Sequence, residues 1–413
     1  MNQLSDYHPF DREVVECPFD FNRLMRRQAP VYLDPNTGFY LVSRYDLVQR
    51  ILKDPGRFSS KFSAALRPWD SFPEKAREIM GQGWPATEIL LTTDPPDHAR
   101  SRALVSKAFS LKRVQGMQPF MEETVDRLLD RLISQGHMEF REDFALVLPL
   151  MITAQQFRVA DDEVDQIKHW SDIFAAQLGQ EPKSEDEIVN EAREMVAFQK
   201  YFAAKLDEVR ADPGDEIISV IGQAMDDPDD PLSMADALEI INQAFVAGHE
   251  TTTSAMTAGM QLLIEHPEQL KLLQDDPSLI PNFCEEVLRI ESPTNNMWRI
   301  AREDVELEGV TIPEGAVMLL RFGSANRDEA KFGAESEKLD VCRKDAREHL
   351  AFGAGPHFCI GALVARQEMR KAFERLLARA TNFRLAPGHK APEHMYSVLL
   401  RGLQELHIEF DPV

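Results

Sequence analysis

The sequence predicts a mostly α-helical fold with a minor β portion. Three observations carry that expectation: an unbroken helical pattern from Ser233 to His266, an amphipathic stripe over 117–135, and a strand-rich stretch, VELEGVTIPEGAVMLLRFGS, at 305–324. The chain has 413 residues with no internal repeat and no Gly/Ser linker, so a single domain over 1–413 is expected.

Taken in order, VYLDPNTGFYLVSR reads as two strands joined by a turn at Asp34 to Gly38, with β-branched and aromatic residues on both sides. Over 117–135, Met121, Val125, Leu128, Leu129, Leu132 and Ile133 fall on one face and Gly136 stops the helix. Ser233, with Asp236 three residues on, is an N-cap candidate for the long helix, and Pro267 ends it. At 1.5 Å per residue that helix is about 50 Å long, enough to cross a whole domain. A short helix around 282–290 precedes the strand-rich stretch, 361–380 is helical again, and a strand pair broken at Gly402 closes the chain.

Composition is that of a globular protein, 43% hydrophobic and 28% charged, and no apolar run approaches the roughly 20 residues of a membrane span. The N-terminus, MNQLSDYHPFDREVVE, is polar and acidic, unlike a secretory or transit peptide, so a cytoplasmic protein is expected. A net charge of −23 disfavours nucleic acid and anionic membrane as partners. Cys17, Cys284, Cys342 and Cys359 form no CxxC pair, which argues against a zinc finger or disulfide framework.

One cysteine stands apart. In AFGAGPHFCIG, Cys359 lies among Gly353, Gly355 and Gly361 at the start of a helix, where free N–H groups stabilise a thiolate. A buried filler, a nucleophile and a metal ligand are the three readings. His357 is the only base nearby and is poorly placed to activate the sulfur, so a ligand fits better, and a single thiolate ligand points to haem. The AGHETTT run at 247–253 carries His-Glu, but the second histidine of a zinc protease is absent, since position 253 is Thr. Gly248 and three threonines make that turn a weak one in the long helix.

The pattern Phe352-Gly353-x-Gly355-x-His357-x-Cys359-x-Gly361 resembles the haem-binding loop of the cytochrome P-450 family. The resemblance implies that Cys359 is the proximal ligand of haem b, that His357 bonds a propionate and that Phe352 packs near the thiolate. Glu286 and Arg289 in CEEVLR match the family's Glu-x-x-Arg pair, and Arg343 its Arg partner, a structural lock below the haem. His98 and Arg102 after Asp-Pro-Pro, and Arg299 in WRIARED, correspond to propionate partners. Ala247, Gly248, His249, Glu250 and Thr251 match the oxygen-side signature: Gly248 lets the helix lie close over the haem, while Glu250 and Thr251, or its neighbour Thr252, relay protons.

The implied fold is the family's triangular helical prism with a long central helix over the haem and a small β region. The implied enzyme is a monomeric monooxygenase that inserts one atom of dioxygen into a small, largely apolar organic substrate. Electrons are expected from a separate protein, because no GxGxxG and no fused reductase appear. Lys107, Arg343, Lys344, Arg347, Arg366 and Arg370 are expected to form the docking face for an acidic ferredoxin. By family analogy the pocket is lined by the loop from Trp84 to Leu90 and by Phe174, Leu178, Phe245, Val246, Ala247, Met297 and Val398. Asn295 and Asn296 are polar candidates to anchor a substrate group. A peroxygenase, a non-catalytic haem sensor and a cysteine hydrolase remain as rivals; the Glu250–Thr251 pair speaks against the first.

Overall fold

A computed structural model describes residues 4–66, 68–178 and 183–413. Nine helices organise the site: α1 (Tyr45–Leu52), α2 (Asp97–Ser106), α3 (Leu111–Leu132), α4 (Val147–Gln156), α5 (Val164–Leu178), α6 (Glu185–Ala211), α7 (Met234–Glu265), α8 (Ile280–Glu291) and α9 (Ala362–Leu377). The β portion is small. Strands β1 (Val31–Leu33), β2 (Tyr40–Val42), β3 (Phe58–Ser59), β5 (Asn296–Ala301) and β8 (Val317–Arg321) form one sheet in the order β1-β2-β8-β5-β3. Strand β4 (His137–Glu139) pairs with β10 (His407–Pro412), which also pairs with β9 (Ala380–Leu385), and β6 (Val305–Leu307) with β7 (Val310–Ile312) makes a hairpin.

The Asp34–Gly38 turn joins β1 and β2 as expected: Gly38 adopts φ 72° and Thr37 Oγ1 donates to Asp34 Oδ2 at 2.6 Å. Helix α3 starts at Leu111, six residues earlier than its apolar stripe suggested, and continues through Pro119. The chain's end departs from expectation. Around Gly402 there are isolated bridges, Thr294 with Leu400 and His394 with Leu403, and the closing strand instead joins β9 and β4. Ser254 fills the space beside Gly402 that a side chain would need.

Helix α7 spans 32 residues, and Ser233 caps it by accepting from the Asp236 N–H at 3.1 Å. It threads two cores. Its first half, through Phe245, packs with α4, α5 and α6; its second half, from Ala255, packs with α3, α8 and α9. Between them, Val246, Gly248 and Thr251 are half-buried and Ala247 is exposed, so the helix opens where the AGHETT run sits. A fully buried Phe or Leu contributes about 1.5–3 kcal/mol, so the two packed halves hold that open turn in place.

Helix α8 presents Glu286 to two guanidiniums in a region with no solvent access. Arg289 donates to its carboxylate from Nε (2.7 Å) and Nη2 (2.8 Å), and Arg343 Nε donates at 2.9 Å. The remaining guanidinium N–H groups reach the carbonyls of Asn326, Ser336, Phe332 and Glu335. Asn326 in turn accepts from Leu350 N at 2.6 Å, tying this network to the cysteine loop. Removing one partner of a buried ion pair costs about 3–5 kcal/mol. Glu286→Gln is therefore expected to lower the unfolding free energy by about that amount, read from denaturant melts; a loss below about 1 kcal/mol would contradict the role assigned to this carboxylate.

Candidate active site

The cysteine loop is built by two left-handed glycines. Gly353 and Gly355 both adopt φ 68°, and a Cβ on Gly355 would collide with the Leu52 carbonyl of α1. The loop folds back so that Cys359 N donates to Phe352 O at 2.8 Å. The sulfur then stands at the N-terminus of α9, where the N–H groups of Gly361 and Ala362 point at it. Burial pushes the thiol up, while those N–H groups and the Arg102 and Arg366 guanidiniums pull it back.

Behind the loop sits a second buried carboxylate that the sequence pattern did not reveal. Glu285 accepts from Arg366 Nε (2.7 Å) and Nη2 (2.9 Å) and from His349 Nε2 (3.2 Å). Burial opposes its charge, yet these bonds hold the carboxyl down at about 2. The Arg366 guanidinium lies 4.5 Å from the Phe352 ring centroid, so Glu285 positions the cation that clamps the loop.

On the other side, His98 and Arg102 share one face of α2, and Arg299 projects from β5. The His98 and His357 rings are 4.1 Å apart, and His357 Nε2 is 3.0 Å from Ser60 Oγ. Arg299 is buried, with its guanidinium bonded to the Trp298 carbonyl at 2.7 Å. Among the described residues neither Arg102 nor Arg299 has a carboxylate ion-pair partner: Asp94 acts on Arg299 only at a distance, and Asp94 is itself bonded by Ser59 and Ser60. Burial brings Arg299 down to about 10, and burial with the nearby cations brings His357 down to about 3. Two desolvated cations without counter-ions fit an anionic guest. Haem b has two propionates and one iron for Cys359, so the residues present fit it.

Helix α7 runs unbroken through AGHETT. Thr251 Oγ1 donates to Ala247 O at 2.9 Å, on the open face. Gly248 stands where α7 meets α4. A Cβ there would lie 3.2 Å from Thr153 Oγ1, so it lets α7 approach α4. Glu250 points away from Thr251 into the interior, where Arg141 Nη2 reaches both carboxylate oxygens at 3.2 and 3.3 Å. Arg141 also pairs with Glu142, which with Asp172 flanks Lys168 (3.5 and 3.0 Å), so charged groups lead from the surface to Glu250.

Thr252 faces the other core, where its hydroxyl bonds Glu368 of α9. Glu368 is buried, and its Oε2 has no partner. A carboxyl at a core-facing position of α9, flanked by Met369 and Ala372, was the available sequence signal. No local signal marked Arg141, whose partner is 109 residues away.

Other site candidates are placed as follows. Val246 and Met297 are half-buried and Val398 is buried. Phe174 and Phe245 are core residues, packed edge-on against Phe198, and the Leu178 side chain lies outside the described part. Asn295 and Asn296 tie the start of β5 to the chain's end, while Asn296 Oδ1 is buried with no donor. Both backbone N–H groups donate to Leu399 O, and Asn296 Nδ2 donates to Val398 O. Of the basic cluster, Arg343 is buried on Glu286, Arg366 is held by Glu285 and Arg370 pairs with Glu374, leaving Lys107, Lys344 and Arg347 exposed.

Comparison with known proteins came to one answer. The family model described as Cytochrome P450 matches residues 31–405. Cytochrome P450 107B1 of Saccharopolyspora erythraea is 34% identical over 89% of this chain and 88% of its own length. A Steroid C26-monooxygenase of Mycobacterium tuberculosis is 32% identical, over 94% of this chain and 93% of its own. The solved structure of CYP109E1 from Bacillus megaterium in complex with corticosterone superposes with a TM-score of 0.83 at 30% identity, covering 96% of this chain and 99% of that one.

Burial pushes the Glu368 carboxyl up to about 8 against an ordinary 4.5, with Thr252 pulling the other way. The folded protein therefore keeps a proton that the unfolded chain has released, and stability falls as pH rises between about 4.5 and 8, then levels. Glu368→Gln is expected to flatten that fall in denaturant melts across this range. Parallel wild-type and variant profiles would contradict it.

Proposed function

The chain belongs to the cytochrome P450 family and is a monooxygenase that binds haem b, and from that premise we propose how its own residues serve the reaction. The observation that carries the reading is the half-buried Cys359 at a helix N-terminus opposite two cations that have no counter-ion. Cys359 Sγ holds the iron, and His98, Arg102, Arg299 and His357 hold the propionates. When bound, the haem supplies the activation of dioxygen and the transfer of one oxygen atom to the substrate.

Around that chemistry the chain moves protons. Thr251 is the working hydroxyl: its proton is given to Ala247 O, so its lone pairs are free to accept from a water and hold it on the open face of α7. Thr252 is turned away, toward Glu368. Glu250, held by Arg141, links the charged surface groups Glu142, Lys168 and Asp172 to the interior, and it delivers protons by releasing Arg141. The substrate is largely apolar, in keeping with Val246, Met297 and Val398 and with the relative named as a steroid monooxygenase.

Electrons arrive from an acidic ferredoxin at Lys107, Lys344 and Arg347, around Phe358, whose ring is exposed beside the cysteine. Such a partner places the protein in the cytoplasm, and it acts as a monomer. No helix among the described residues is long and apolar enough to cross a membrane.

The reading is tested by reconstitution with a ferredoxin, its reductase and a steroid-like substrate panel. NAD(P)H oxidation coupled to an oxygenated product is expected, with the rate falling as salt rises and falling at least several-fold in Lys344→Glu. Turnover with peroxide alone at an equal rate would favour a peroxygenase instead. Arg141→Met leaves Glu250 buried without its cation, so we expect a larger share of reducing equivalents lost as peroxide and a changed solvent isotope effect. Coupling and isotope effect equal to wild type would remove Arg141 and Glu250 from the relay.

A further inference from the structure

Three polar side chains near the start of α7 are used by nothing described so far: Glu239, Asn242 and Gln243. Glu239, Gln243 and Val246 stand at i, i+4 and i+7, so this polar stripe shares a face with the apolar pocket residue. Gln243 joins the helix to the strap after Trp84. Its Nε2 donates to Ile89 O at 3.0 Å and to Glu239 Oε1 at 3.2 Å, and its Oε1 accepts from Leu91 N at 3.2 Å. Between those two strap contacts, Leu90 is held at φ 47°, a left-handed conformation that a bulky residue rarely adopts. Its side chain packs on the rim of the second core, as do Val246 and, beside the cysteine, Ile360. Strained residues of this kind are kept where surrounding contacts over-determine them, as at ligand clamps.

What this corner lacks is a cation. The Asn242 and Gln243 amides both donate to Glu239, yet no charged group of the described residues acts on it. Burial pushes its carboxyl up to about 7. The Asn242 amide oxygen is shielded from solvent and has no hydrogen-bond donor. Asn242 Oδ1 is thus an acceptor without a donor, and Glu239 three residues away a carboxyl with amide donors but no cation; an N–H-bearing cation satisfies both.

Resting on the family reading above, we propose that Glu239 and Asn242 form a polar subsite at the far end of the substrate pocket for a basic amine. Ala247, at the open turn, is eight residues from Glu239, about 12 Å along the helix axis. The substrate is accordingly an apolar body with its amine about 12 Å from the carbon that is oxidised.

The test uses the purified haem-loaded protein titrated with N,N-dimethyldecylamine and with 1-decanol, followed by calorimetry and by haem absorbance. Wild type is expected to bind the amine at least tenfold more tightly than the alcohol. E239Q should lose that preference while its affinity for the alcohol stays within about twofold. Equal affinity for the two ligands in wild type, a preference that survives in E239Q, or a spectral shift showing nitrogen bound to iron would overturn the subsite. The carbon monoxide spectrum of the reduced proteins separates the two claims. A thiolate-type band with no amine preference removes the subsite alone, whereas its absence from wild type removes the family reading.

Discussion

Two adjacent buried carboxylates on α8, Glu285 and Glu286, are the constraint on which the rest of the site depends. An unpaired buried carboxylate is costly, so each must collect donors, and apart from Arg289 those come from distant parts of the chain. Glu286 gathers Arg289 and Arg343, whose spare N–H groups fix the backbone from Asn326 to Glu335 and, through Asn326, Leu350. Glu285 gathers Arg366 and His349, which brace Phe352. The cysteine loop is thus pinned from two directions by the chain's own side chains. Facing it across the site is the opposite arrangement: Arg102 and Arg299 are cations awaiting anions, with the imidazoles of His98 and His357, both shifted down by burial, beside them. One half of the site is electrically complete and the other is completed by its cofactor.

Helix α7 divides its acids by the environment each meets. Glu250 is paired with Arg141 and connected to surface charges; Glu239, with only amides for company, is driven toward neutrality. Glu368, reached from the same helix through Thr252, goes further in that direction. The same residue type serves as a charged link, a receptor for a cation and a stored proton, according to what burial leaves beside it.

Much of this was legible in the sequence where the signal is local. The Cys359 loop, the Ser233 cap with Pro267 as a stop, and the Glu286–Arg289 spacing are short-range patterns whose geometry follows from helix period and glycine freedom. Long-range pairing was not legible. Arg141 and Glu250 sit in unrelated segments, and nothing in either marks the other. The basic residues near Cys359 looked like one surface cluster, because a sequence does not distinguish Lys344 in solvent from Arg343 on a buried carboxylate. That the N–H groups of Asn295 and Asn296 would meet the Leu399 and Val398 carbonyls, about a hundred residues on, was likewise not legible. Gly402 looked like a break in a local strand pair, whereas the final strand pairs across the fold.

The central claim, that Cys359 is the thiolate ligand of a haem held by this loop, is tested most directly by the absorption spectrum of the reduced, carbon monoxide-bound protein. Wild type is predicted to show the red-shifted Soret band of thiolate ligation, and Cys359→His to lose it while still binding haem through His98, Arg102, Arg299 and His357. A red-shifted band that persists in Cys359→His, or that is absent from wild type, would contradict the account.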